Sequence, residues 1–140
     1  RANFGMPERK VSGVDYNRVS MILAVLEKRI GLKLGGQDVF VNIVGGVQVD
    51  EPAADLGIAM TIASSFKEKV IPSNIVVIGE VGLGGEVRSV SQIEIRLKEA
   101  QRLGFKKALI PKNNVKGIGK ESGMELIELN YLSEAVEIIG

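Results

Sequence analysis

Between Ala53 and Ser65 the chain carries Ala53, Ala54, Leu56, Ile58, Ala59, Met60, Ile62 and Ala63, which point to nearly every side of a helix. A helix apolar all round belongs inside a domain or beneath a sheet. The rest of the chain must therefore supply the elements that cover it. Pro52 fits the first turn of such a helix, where its missing N–H costs nothing. Asp55 stands in that turn, at the positive end of the helix dipole.

The covering elements can be read from periodicity. A helix is expected from a cap at Asp15 through Arg29, with Val19, Ile22, Leu23, Leu26 and Ile30 on one face and Gly31, Gly35 and Gly36 closing it. Val39 to Val49 alternates around Gly45-Gly46 and predicts a two-stranded hairpin. Ile75 to Ile78 is a continuous β-branched run, the mark of a buried strand. Gly79 to Glu86 is a glycine-rich turn leading to a short strand at Val87. Ile93 to Leu103 is an amphipathic helix, with Ile93, Leu97 and Ala100 inward and Gly104 beyond its end. Strands follow at Ala108–Ile110, stopped by Pro111, and at Glu125–Leu129. Ser133 is expected to cap a last helix through Ile139, with Glu134 in its first turn. Mixed strands and packed helices give an α/β class, in an α+β two-layer arrangement. The polar stretch 1–13, broken by Gly5, Pro7 and Gly13, reads as a linker or arm, leaving 14–140 as one domain. The opening Arg1, in place of Met, suggests a piece of a longer protein.

A length of 140 residues suffices for one sizeable core. The chain has no Cys and no His. That removes disulfides, thiolate metal sites and every Ser-His or Cys-His nucleophile pair. The expectation is no metal and no cofactor in this domain. No apolar run approaches the roughly 20 residues that span a bilayer, and no signal peptide opens the chain, so no membrane is expected and the location is read as cytoplasmic. There is no G-x-x-x-x-G-K-[ST] loop to hold a triphosphate. The glycines of 79–86 lack dinucleotide-binding spacing, and Glu80 and Glu86 flank them, so a tight turn is the favoured reading. Asp50, Glu51 and Asp55 cluster at the start of the apolar helix. They could hold a shifted pKa for acid-base work, but a capping cluster is the favoured reading. Ser91 and Lys98 stand seven apart, too far for a direct hydrogen bond.

The formal net charge is +1, but it is unevenly spread. Arg88 to Lys120 holds nine basic residues against Glu94 and Glu99, whereas Glu121 to Gly140 holds five acids and no base. Such a split suits polyanion binding or head-to-tail contact between subunits.

Three blocks carry a family resemblance: DEPAADLGIAMTIASS from Asp50, GEVGLGGEVRSV from Gly79 and RLGFKKALIPKNN from Arg102. They resemble the peptidase domain of Lon proteases, where a nucleophilic Ser follows Pro in D-G-P-S-A-G and a lysine follows in G-G-L-K-E-K. Carried over, the nucleophile falls on Ala53 and the lysine on Glu94. Neither can do the chemistry, so the resemblance implies a catalytically degenerate domain and no enzyme. Longer blocks, from Phe4 to Asn114, resemble the C-terminal Lon protease-like domain of the RadA (Sms) family of bacterial DNA repair proteins. That resemblance implies a RecA-like ATPase parent with a zinc finger, and ATP, Mg and Zn held in other parts of it. It further implies a ring, expected to be a hexamer, that processes recombination intermediates by branch migration. This domain is then expected to be a scaffold that contacts single-stranded or branched DNA. Lys and Arg that pair with phosphate release counterions and bind without regard to sequence. The candidates are Arg88, Arg96, Lys98, Arg102, Lys106, Lys107 and Lys112. With 4% aromatic residues, base stacking is not expected to dominate. A pure oligomerisation module without DNA contact is the alternative. A serine peptidase with rearranged chemistry, dependent on a residue such as Ser91, is the remote one.

Overall fold

The computed structural model describes residues 16–33, 51–116, 118 and 123–139. The expected arm at 1–13, the cap at Asp15, the hairpin at Val39–Val49, Asp50 and Lys120 lie outside the described residues. The first helix, α1 (Tyr16–Val25), runs into a wider π turn at Leu26–Ile30. Gly31 ends it at φ 87°, a left-handed conformation that suits glycine. A short 3₁₀ turn (Pro52–Ala54) opens α2 (Asp55–Lys67). Then come β1 (Ile75–Val77), β2 (Glu80–Val81), β3 (Val87–Arg88), α3 (Ile93–Arg102), β4 (Lys107–Pro111), α4 (Lys112–Val115), β5 (Glu125–Leu129) and α5 (Leu132–Ile138).

Strands β1, β4 and β5 form a parallel sheet in the order β1-β4-β5, with Ile75 opposite Lys107 and Lys107 opposite Glu125. β2 and β3 form a separate antiparallel pair. The α/β class with packed helices and both strand directions is thus what the chain adopts. The sheet adds to the two-layer expectation. Along β4, Leu109 packs into a cluster with Leu26, Leu56, Met60 and Leu132, from the helical layer of α1, α2 and α5. Its neighbours Ala108 and Ile110 face a second cluster with Ile93, Leu97 and Ala100 of α3. Successive strand residues point to opposite faces, so helices cover both sides of the parallel sheet, as such sheets require.

The apolar helix lies where its sequence demands. Leu56, Ile58, Ala59, Met60, Ile62 and Ala63 are all buried. Asp55, the buried acid of the described residues, does not cap its own helix. Its Oδ1 accepts from Arg18 Nη1 at 2.8 Å, and its Oδ2 accepts from the Val81 N–H at 3.1 Å. It therefore ties α1 and β2 to α2. The last helix starts one residue before Ser133, with Tyr131 at the cap position in an extended conformation. Ser133 lies inside the helix, and the side-chain oxygen that serves its start is Glu134 Oε1, which accepts from the N–H groups of Asn130 (2.7 Å) and Tyr131 (2.9 Å).

Candidate functional site

The two positions that matter for peptidase chemistry lie at the carboxyl end of the parallel sheet. Ala53 is buried, in one apolar cluster with Ile78, Ile93 and Leu97. Its carbonyl accepts from the Gly79 N–H at 3.0 Å. Glu94 is exposed in the first turn of α3. Around them run several polar ties. Glu51 Oε1 pairs with Arg96 Nη2 at 2.8 Å. Arg96 Nε also donates to the Ser91 carbonyl at 2.8 Å. Asn114 grips Val90 twice, accepting from its N–H (2.9 Å) and donating to its carbonyl (3.0 Å). The expected capping cluster is therefore not one in function: Glu51 and Asp55 each bind an arginine from another element.

The seven basic candidates divide between two ends of the sheet. Parallel strands begin together, and Lys106 and Lys107 sit at that beginning, both donating backbone N–H groups to the Asn74 carbonyl. Helix α3 ends beside them through Leu103 and Gly104, which brings Arg102 and, one turn earlier, Lys98 toward the same end. Lys98 and Arg102 stand four apart, on one outward face. Arg88, Arg96 and Lys112 lie at the opposite end. Lys112 follows β4, and the residue before Arg88, Val87, donates its N–H to Asn130 just beyond β5. Between Lys107 and Pro111 the strand spans about 13 Å at ordinary strand rise.

Many of these cations already have partners. Arg88 Nη2 pairs with Glu86 at 2.8 Å, Arg102 Nη2 with Glu99 at 2.5 Å and Lys107 Nζ with Glu125 at 3.9 Å. The Glu99 carboxyl is held below its usual range by Arg102, which is raised in turn. The Glu86 carboxyl is lowered by its own backbone N–H first and by Arg88 next. Lys98, Lys106 and Lys112 are exposed and have no ion pair among the described residues. Among those residues no group of three or more acids could hold a metal, and no helix is long and apolar enough to cross a membrane. Ser91 is exposed ahead of α3.

Sequence reasoning did not find Arg18, Asn114 or the Glu51–Arg96 pair. The signal for Arg18 was present in one respect: a carboxylate in an otherwise apolar, buried helix needs a charged partner. Nothing local in the sequence says which one.

A family description, subunit ChlI of Mg-chelatase, matches residues 3–114. The chain is also similar to proteins named DNA repair protein RadA. It is 51% identical to that of Halalkalibacterium halodurans over 136 residues, 97% of this chain and 30% of the relative. It is 50% identical to that of Aquifex aeolicus over 138 residues, 99% of this chain and 30% of the relative. It is 51% identical to that of Bacillus subtilis over 134 residues, 96% of this chain and 29% of the relative. The chain thus spans about 30% of the length of the curated relatives it matches.

Proposed function

This chain belongs to the family described as subunit ChlI of Mg-chelatase, and from that premise and its RadA-named relatives we propose that it serves DNA repair as a non-proteolytic, DNA-contacting domain. Its work is to hold single-stranded or branched DNA by the phosphate backbone while a RecA-like ATPase, elsewhere in the parent, supplies motion. The supporting observation is the gathering of Lys98, Arg102, Lys106 and Lys107 at the starting end of the parallel sheet. Phosphate contacts from such a group are sequence-independent and weaken steeply with salt. No peptidase step is assigned. Ala53 has no nucleophilic atom, and Glu94 cannot act as the neutral amine that activates one. ATP, Mg and Zn belong, in this reading, to the parent's other parts.

The test is fluorescence anisotropy with duplex and forked DNA at two salt concentrations. The expected result is binding to unrelated sequences that falls sharply at the higher salt. Binding indifferent to salt overturns the reading. So does binding that survives Lys98→Gln, Lys106→Gln and Lys107→Gln together.

One observation favours a second role. Acidic Glu134 and Glu137 lie on α5, over one face of the sheet, and basic Lys98 and Arg102 on α3, over the other. Opposite charge on opposite faces suits head-to-tail assembly, which closes into a ring when the rotation allows. A hexamer in light scattering, disrupted by charge reversal on either helix, is the expected result. Assembly without any DNA affinity would favour this role over the first.

A further inference from the structure

We infer that Arg96 is the keystone of a closed joint over Ala53 and not a contact for DNA. The joint binds the segment entering α2 to the turn entering α3, the two places where the resembled peptidases hold nucleophile and lysine. One guanidinium makes both halves. Its Nη2 pairs with Glu51, two residues before Ala53, and its Nε donates to the carbonyl of Ser91, three residues before Glu94. Arg suits this task because its planar fork presents donors in two directions at once. The side chain is only 25% exposed, so part of the pair is shielded from water and salt.

Three further features fix the same place. Gln92, between Ser91 and α3, holds φ 56°, a left-handed conformation unusual for a residue with a side chain. Its strain persists only where surroundings dictate the backbone, and Asn114 on Val90 and Arg96 on Ser91 do so. The Ala53 carbonyl is taken by Gly79. The Ala53 methyl is buried in the same apolar cluster as Ile93 and Leu97. Where the resemblance puts a nucleophile and a lysine, this chain has a joint locked by one cation.

The test joins hydrogen exchange, thermal unfolding and DNA titration on Glu51→Gln, Arg96→Gln and the double variant. In Arg96→Gln, amide exchange at 51–54 and 90–93 is expected to quicken by about tenfold, as for a local opening. The two single losses of Tm should together exceed the loss in the double variant, which falls little further than Arg96→Gln alone. The DNA salt slope should stay as it was. Exchange unchanged in both segments, or strictly additive losses, overturns the joint. A salt slope reduced as much as by Lys106→Gln overturns the exclusion of Arg96 from DNA. If Arg96→Gln does not fold, Arg96→Lys replaces it: a lysine cannot span both partners, so one of the two segments should still exchange faster. The exchange and Tm arms stand even if the domain binds no DNA.

Discussion

Asp55 shows how one side chain can decide the packing of three elements. It is fully buried and bonded to Arg18 and to the Val81 N–H. Removing one partner of a buried pair strands the other, at a cost of several kcal/mol. Asp55→Ala is therefore expected to destabilise the protein by about 3 kcal/mol, at the low end of the usual range because Arg18 keeps some exposure. Asp55→Leu combined with Arg18→Met should be milder than Asp55→Ala, since both charges leave together. Urea unfolding of these variants checks the order. Glu134 is a milder case with a pH signature. The Tyr131 and Asn130 N–H groups lower its carboxyl, so its folded value lies below its unfolded one. Its stabilisation is present above the ordinary glutamate value of about 4.3. It fades as pH falls through the lower folded value. Glu134→Gln should cost about half a kcal/mol at neutral pH, the exposed-cap end of the range. The gap between variant and parent should close in strong acid, as followed by Tm against pH.

At the scale of elements, the end of α2 carries a testable irregularity. Glu68 stands at the C-cap with φ 56°. Lys69 N–H reaches back to the Ser64 carbonyl and Glu68 N–H to that of Ser65, the pattern that usually selects glycine there. Glu68→Gly should stabilise by up to about 1 kcal/mol, as the left-handed strain is relieved. A lower Tm would mean the Glu68 side chain contributes more than its backbone loses. The helices and strands with clear period were legible: α2 from its apolar surface, α3 from Ile93, Leu97 and Ala100, β5 over Glu125–Leu129. What escaped was set by distant partners. The cap of α5 is Tyr131 and not Ser133 because the chain leaving β5 is pinned to the β2–β3 turn, with Asn130 accepting from Val87 and Leu132 donating to Gly85. The π turn at Leu26–Ile30 has no local cue in the sequence. Periodicity likewise says which residues are inward but not which side of the sheet a helix covers. That hid the second helical layer, and it hid the partners of Glu51 and Asp55.

The whole molecule sorts its positive charge by the direction of its strands, which no linear count can show. Seven candidates that form one run in the sequence become two groups, one at each end of a parallel sheet. At the carboxyl end, Arg88 is neutralised by Glu86, Arg96 is committed to Glu51, and Lys112 adds to the field on Glu134. At the starting end, Arg102 is paired with Glu99, Lys98 and Lys106 have no ion pair among the described residues, and Lys107 shares Glu125 only at 3.9 Å. A weak exposed pair of that kind gives up little when a phosphate replaces the carboxylate. The two ends should therefore respond differently. Converting Lys98, Lys106 and Lys107 to Gln is expected to flatten the plot of log affinity against log salt. The slope should fall by nearly one unit for each phosphate deprived of its cation, with weakening alike on every sequence. Converting Arg88 and Lys112 to Gln should leave that slope nearly as it was. Equal flattening by both sets would mean that DNA runs the full length of the sheet instead of crossing one end. No flattening by either set would leave assembly as the role of the charged helix faces.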